Sequence, residues 1–288
     1  MMIVRTLTPD SCRSQLLWQV LDLLAANGLK LDLADATCPG EAETLAREAA
    51  LRGARMVVAA GDDNLVLDVA QGLVGTDVRL GVIPSGRVNQ TARALGLPLK
   101  PRAVAAALAF GRTRPFWPGL VTGAEGRRLF VQTVGVGFDA EVFRCLPFAL
   151  RGLCGKGVYA MQSLREMLRY EFPPLRLCID GRPTSTTSAI ISKAHRWGRP
   201  AGVSADPGGH PGFSVTLIDR GGPPAALLYG AAHAVNLLER APGVRHVRAH
   251  AVTMADQQRL PAHTDGQFSG YTPLSVADVP APLQVVTG

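Results

Sequence analysis

Along the first 110 residues the spacing of apolar positions switches repeatedly, and each switch predicts a new element. Ile3–Leu7 reads as a short strand. Gln15–Ala26 places Leu16, Leu17, Val20, Leu23 and Leu24 at helical spacing and stops before Gly28. Leu29–Leu33 alternates as a strand, Glu41–Arg52 predicts a helix, Met56–Ala60 a buried strand and Leu65–Leu73 a helix. Leu80–Ile83 predicts the next strand. A helix follows from about Val88 to Leu95, ended by Gly96 and Pro98, and Arg102–Phe110 predicts another. Alternation of this kind predicts a parallel sheet with helices on both faces.

After Gly111 the texture changes. The stretch TRPFWPG carries two prolines and two aromatics, and the alternation stops. Strand-like runs follow at Leu129–Val136, Leu175–Asp180, Ser185–Ser192, Phe213–Asp219, Val244–Val252 and Leu283–Val286, separated by turn residues such as PPL, DGRP and GGPP. One Ala/Leu helix, about Ala225–Arg240, interrupts them. The pattern predicts a domain boundary near residues 113–120 and a β-rich second domain.

The chain of 288 residues is 47% apolar, enough for a full core without disulfides or metal. Its formal charge of +7 suits a nucleotide phosphate or an anionic membrane face, and equally serves solubility. Five cysteines without a CxxC pair point to reduced thiols and a cytoplasmic protein. The apolar run at the start is too short for a signal peptide, and none reaches the roughly 18 residues of a membrane span.

Candidate chemistry lies at two strand ends, where ligands of α/β sheets bind. The first turn reads Gly61-Asp62-Asp63-Asn64, and the second, PSGRVNQTAR, contains Gly86, Arg87 and Asn89. Both feed directly into helices whose N–H groups attract anions. We therefore expect these two strand ends to lie side by side.

On these residues the chain resembles the bacterial diacylglycerol kinase and lipid kinase family. The family's GGDGT falls on Gly61–Leu65 and its GTxND on Gly86–Gln90, followed by Thr91-Ala92-Arg93 and LGLP. VGVGFDAEV, GKGVYAMQSLREMLRY, DGRP and HTDGQFSGYTP continue the likeness to residue 273. The resemblance implies α/β plus β architecture. Residues 1–115 would form a three-layer α/β nucleotide-binding domain like those of NAD kinases and phosphofructokinases. Residues 116–288 would form a C-terminal β-sandwich, whose last strand is free to return to the first domain.

The resemblance implies ATP and Mg²⁺ as cofactors. Gly61, Asp62, Asn64, Gly86, Arg87 and Asn89 would hold nucleotide, and Asp63 and Asp265 the metal. Asp265 would also take the proton from a lipid hydroxyl. Asp63 and Asp265 are then expected to face one another. The implied partners are nucleotide and a lipid substrate at a membrane surface, where the protein would associate peripherally. Nucleic acid is not expected, and a homodimer stays open. The segment 142–170, with Phe143, Leu146, Phe148, Leu150 and Leu153 among Arg144, Arg151 and Lys156, suits lipid contact or core packing equally.

Several positions depart from the family. Asp62 and Asn64 replace glycines, and as the non-glycine residues that best tolerate positive φ they are expected to preserve the turn. Arg87 replaces Thr, facing either a phosphate or Asp62. Gln267 replaces Glu, and Asp265-Gly266 alone reads as an ordinary hairpin turn. The early turn Thr8–Ser11 lacks the family's NPxSG, and His210 stands near an expected acidic metal ligand. These departures leave open a kinase-fold protein that binds nucleotide, lipid or a protein partner without phosphoryl transfer. NAD kinase-like activity shares only the first motif.

Overall fold

The computed structural model describes all residues except 7–14, 39, 87, 146–155, 194–208, 236 and 256–257, with backbone alone at 156–160, 233 and 234. The chain divides into two units, one built chiefly on Met1–Pro118 and Val279–Gly288, the other on Gly119–Asp278.

In the first unit, β1 (Met2–Thr6), β2 (Asp32–Ala36), β3 (Met56–Gly61), β4 (Arg79–Pro84), β5 (Arg112–Phe116) and β18 (Leu283–Thr287) form one sheet in the order β2-β1-β3-β4-β18-β5. Neighbours are parallel except β5, which runs antiparallel to β18. Helices α1 (Gln15–Ala26), α2 (Glu41–Leu51), α3 (Asp63–Leu73), α4 (Gln90–Ala94) and α5 (Pro101–Phe110) cover its faces. Met56, Val58 and Ala60 share a core with Leu17, Val20 and Leu24 of α1 and Val104 and Leu108 of α5. Val57 and Ala59, pointing the other way, are equally buried. Two-sided cover is why residues 56–60 read as an unbroken apolar run.

Strand β2 starts three residues later than the alternation at Leu29–Leu33 suggests. Leu29 and Leu31 instead pack against the core from the connection before the strand. As an edge strand, β2 is weakly constrained by burial, so its pattern is a poor guide to its register.

The second unit contains two six-stranded antiparallel sheets. One runs β10-β9-β14-β17-β6-β7, comprising β10 (Arg182–Thr186), β9 (Leu175–Ile179), β14 (Ala251–Met254), β17 (Leu274–Asp278), β6 (Gly119–Gly123) and β7 (Gly126–Phe130). The other runs β13-β12-β11-β8-β15-β16, comprising β13 (Val244–Ala249), β12 (Phe213–Ile218), β11 (Ser188–Ser192), β8 (Thr133–Val136), β15 (Pro261–Thr264) and β16 (Gln267–Tyr271). Side chains from both, including Phe130, Leu175 and Val252 from the first and Ile191, Phe213 and Leu217 from the second, form one β-sandwich core. Helices α6 (Phe138–Cys145), α7 (Lys156–Met167) and α8 (Pro223–Ala234) lie outside the sheets.

Three runs expected as single strands are each two strands in different sheets. Leu129–Val136 divides between β7 and β8, Ser185–Ser192 between β10 and β11, and Val244–Val252 between β13 and β14. A change of sheet takes N–H groups out of the ladder, and they need other acceptors. At the first corner, Asp265 Oδ1 accepts from Gln132 and Thr133 at 2.8 Å each, and Oδ2 from Val131 at 2.9 Å. At the third, Asp180 Oδ1 accepts from His250 and Ala251 at 3.0 and 2.8 Å.

These two aspartates occupy matching places. Each opens a two-residue Asp-Gly turn with positive φ throughout, 46° and 82° for Asp180-Gly181 and 49° and 77° for Asp265-Gly266, as a type I′ hairpin requires. The strand trio β14-β9-β10 corresponds to β8-β15-β16 in the other sheet, with β13 and β7 as the strands that feed each corner. The sandwich therefore has an internal pseudo-twofold arrangement that the sequence does not display.

Two stability effects follow. A Cβ on Gly72 of α3 would lie 2.3 Å from the Glu43 carbonyl oxygen and 2.9 Å from Ala46 Cβ on α2. Gly72→Ala, favourable by helix propensity alone, should instead destabilise by about 1–3 kcal/mol through overpacking, measured by urea unfolding. Asp180→Ala strips the corner of its acceptor and should cost about 1–3 kcal/mol in the same assay, with Asp180→Asn losing less.

Candidate functional site

Strands β3 and β4 pair in parallel with Gly61 opposite Pro84, which brings the turns that follow them together. The Gly86 N–H donates to the Gly61 carbonyl at 3.2 Å. A Cβ on Gly86 would sit 2.8 Å from Asp62 Cα, so glycine is what lets the two turns close on one another.

Asp62 does not preserve a left-handed turn. It is extended (φ −83°, ψ −179°) and caps α3, its carboxylate accepting the Leu65 N–H at 3.1 Å. Aspartate is among the best residues for that position, and capping, not positive φ, accounts for it. Asn64 lies within the first turn of α3. The residue with positive φ is Asn89 at 54°, and its side-chain Nδ2 donates to the Gly86 carbonyl at 2.8 Å. Arg87 lies outside the described residues, as does the Thr8–Ser11 turn.

Asp63 joins the loops. From the first turn of α3 it accepts the N–H of Gln90 on Oδ2 at 2.9 Å and of Thr91 on Oδ1 at 2.6 Å. Its negative charge thus sits against the first turns of two helices, where the peptide dipoles favour it. Each oxygen keeps one lone pair. That carboxylate suits a hard, oxygen-preferring cation such as Mg²⁺, held directly or through water.

Asp63 belongs to the first unit and Asp265 to the second. Asp265, half-buried, braces its corner from the hairpin turn. Burial pushes its carboxyl above the usual carboxylate range, opposed by the N–H groups of Val131, Thr133 and Gln132 and by the His263 ring. With three donors on two oxygens, Oδ2 retains a lone pair able to take a proton. Beside it, Arg128 donates to Gln267 Oε1 at 3.2 Å.

A third feature has no counterpart in the sequence reading. Buried His263, two residues before Asp265, receives the Gly266 N–H on Nδ1 at 3.3 Å. That contact places the ring proton on Nε2, which donates to Asp139 Oδ2 at 2.7 Å. Phe143 packs on the ring at 4.6 Å between centroids, and a Cβ on Gly135 would fall 2.2 Å from Nε2. The first turn of α6 is thereby tied to the Asp265 turn. Asp139 lies in VGVGFDAEV and His263 in HTDGQFSGYTP, yet 124 residues separate them, and no local spacing marks the pair.

A second buried pair joins Lys193 and Asp278 at 2.6 Å, with Lys193 Nζ also donating to the Gly212 carbonyl. Burial lowers the Lys193 ammonium below its usual range, against the pull of Asp278. Of the region 204–213, residues 204–208 lie outside the described part. Among the described residues no helix is long and apolar enough to cross a membrane.

Residues 9–121 match the diacylglycerol kinase catalytic domain. A diacylglycerol kinase of Bacillus subtilis is 36% identical over 153 residues, covering 52% of this chain and 49% of that protein. One from Mycobacterium tuberculosis is 34% identical over 143 residues, covering 49% and 46%. The chain thus spans about half the length of these curated relatives. The solved structure of a diacylglycerol kinase from Bacillus anthracis superposes with a TM-score of 0.67 at 14% identity, covering 100% of this chain and 96% of that one, a likeness of fold. The turns after β3 and β4 both lie inside the matched region, over which the chain is similar to the diacylglycerol kinase-like lipid kinases.

Proposed function

We propose that this protein is an ATP-dependent kinase that transfers the γ-phosphoryl group to the hydroxyl of diacylglycerol or a related lipid. The observation that supports this reading is the Asp63 clamp, whose bonds to the Gln90 and Thr91 N–H groups hold together the turns that follow β3 and β4 within the matched domain. Asp63 would hold Mg²⁺, which when bound neutralises phosphate charge, and the metal role of Asp265 is proposed from the resemblance alone. Asp63 keeps the two turns in register, and Asp265 accepts the hydroxyl proton on Oδ2.

Action on a lipid requires a surface that meets the bilayer. Met161 and Leu164 of α7 and Leu168 just beyond it are 65%, 56% and 75% exposed and follow one helical face. Arg165 and Arg169 flank them in the exposed set. An apolar stripe edged by arginines suits an anionic membrane surface. Phe143, from the same stretch of sequence, instead packs against His263.

A second reading, binding without phosphoryl transfer, is favoured by the bonding of Asp265. Asp180 makes the same turn and braces the same kind of corner, so an architectural role fully accounts for the bonds Asp265 makes.

Asp62→Gly should tighten ATP binding in calorimetry with Mg²⁺ present, since it removes a negative charge beside the phosphates. As glycine substitutes well at a helix cap, it should cost only a few tenths of a kcal/mol in stability. Loss of ATP binding by both the wild type and Asp62→Gly would leave the non-catalytic reading. On diacylglycerol vesicles, Asp265→Asn should lower kcat by about 10²–10⁴-fold, with urea unfolding run alongside to measure the folded fraction. Unchanged turnover would remove Asp265 from the mechanism. Replacing Met161 and Leu164 together by Glu should reduce co-sedimentation with anionic vesicles while ATP binding persists.

A further inference from the structure

The pseudo-twofold arrangement of the sandwich places a second Asp-Gly turn opposite in kind to the candidate site. At the Asp265 turn the residue after glycine is Gln267, joined to Arg128 of β7. At the Asp180 turn the matching position is Arg182, paired across the hairpin with Ile179 as Gln267 is with Thr264. The strand matching β7 is β13, which brings Arg245 and Arg248. Between these elements lies a recess of about 380 Å³, floored by Ile179, Leu217 and Val247 and rimmed by the three arginines.

The charges at this rim are unbalanced. Arg245 is engaged, donating through Nε and Nη2 to Asp219 and through Nη2 to the Ser185 carbonyl, which stitches β13 to β10. Arg182 and Arg248 are exposed, and neither has a side-chain partner among the described residues. Asp180, the acid lining the recess, has its carboxylate on the His250 and Ala251 N–H groups. Two guanidinium groups at this rim therefore have no counter-charge bonded to them.

We infer that this recess is a binding site for the phosphate headgroup and adjoining hydrocarbon of an anionic lipid, separate from the Asp265 turn. Guanidinium groups read phosphate through paired, charge-assisted N–H donors. The exposed side chain of Val247, with buried Ile179 and Leu217 beneath the recess, offers hydrocarbon contact that a free inorganic anion would not use. The volume falls in the range of small-molecule sites. Charged residues on an edge strand also deter strand-to-strand association, but that role needs neither a recess nor an apolar floor. The inference stands independently of the kinase reading, because binding is measured without nucleotide.

The test is calorimetric titration of the full chain with dihexanoyl phosphatidic acid below its micelle concentration and, separately, with inorganic phosphate. The lipid should bind, and Arg182→Gln with Arg248→Gln should weaken it by about tenfold or more, the scale of a lost charge-assisted hydrogen bond. Inorganic phosphate should bind about tenfold more weakly than the lipid, since it leaves the apolar floor uncovered. Both substitutions are at exposed positions, and matching urea unfolding curves would confirm that the fold is intact. Unchanged lipid affinity in the double variant, or no lipid binding by the wild type, overturns the inference. Equal affinity for lipid and phosphate overturns the lipid assignment and makes the recess a simple anion site.

Discussion

Backbone N–H groups that no helix or sheet can satisfy are the constraint on which this structure depends, and aspartate carboxylates are its recurrent answer. Asp62 takes the Leu65 N–H at the start of α3, and Asp63 takes those of Gln90 and Thr91 at the start of α4. Asp180 and Asp265 take those exposed where the chain passes between sheets. A carboxylate accepts several such bonds at once and binds each more strongly than a neutral acceptor would. Removing any one of them leaves donors unpaired at a place where the chain turns.

The same device shapes the chemistry. A carboxylate that closes a turn is held in one orientation, which is what a metal ligand or a proton acceptor needs. Architecture and catalysis therefore ask for the same residue at the same position. Asp63 and Asp265 are candidates for reactive roles because they are fixed, and the bonds that fix them leave a lone pair free on each oxygen of Asp63 and on Oδ2 of Asp265. The His263–Asp139 pair extends this logic by tying the Asp265 turn to α6 through Gly266.

Duplication within the sandwich separates the two demands. The Asp180 turn repeats the geometry of the Asp265 turn but carries Arg182 where the other carries Gln267, and it opens onto an arginine-rimmed recess. One arrangement of strands thus presents two turns of like backbone and unlike charge.

Local pattern determined much of this protein. The α/β alternation, the helix over Gln15–Ala26 and the buried strand at 56–60 follow from apolar spacing, because two-sided burial and amphipathic helices leave strong periodic signals. The turns beginning at Gly61 and Gly86 were legible as polar breaks between strand and helix, and their family likeness was legible with them. Tertiary structure alone decided the rest. The corners within Leu129–Val136 and Val244–Val252 were not legible, because core residues lie on both sides of each, Phe130 and Val134 at one and Ala249 and Val252 at the other. Asp62 as a helix cap could not be told from a left-handed turn residue, because both conformations favour aspartate. The pairing of His263 with Asp139, and the partnership of Asp63 with α4, depend on contacts between distant segments, and no local spacing encodes them.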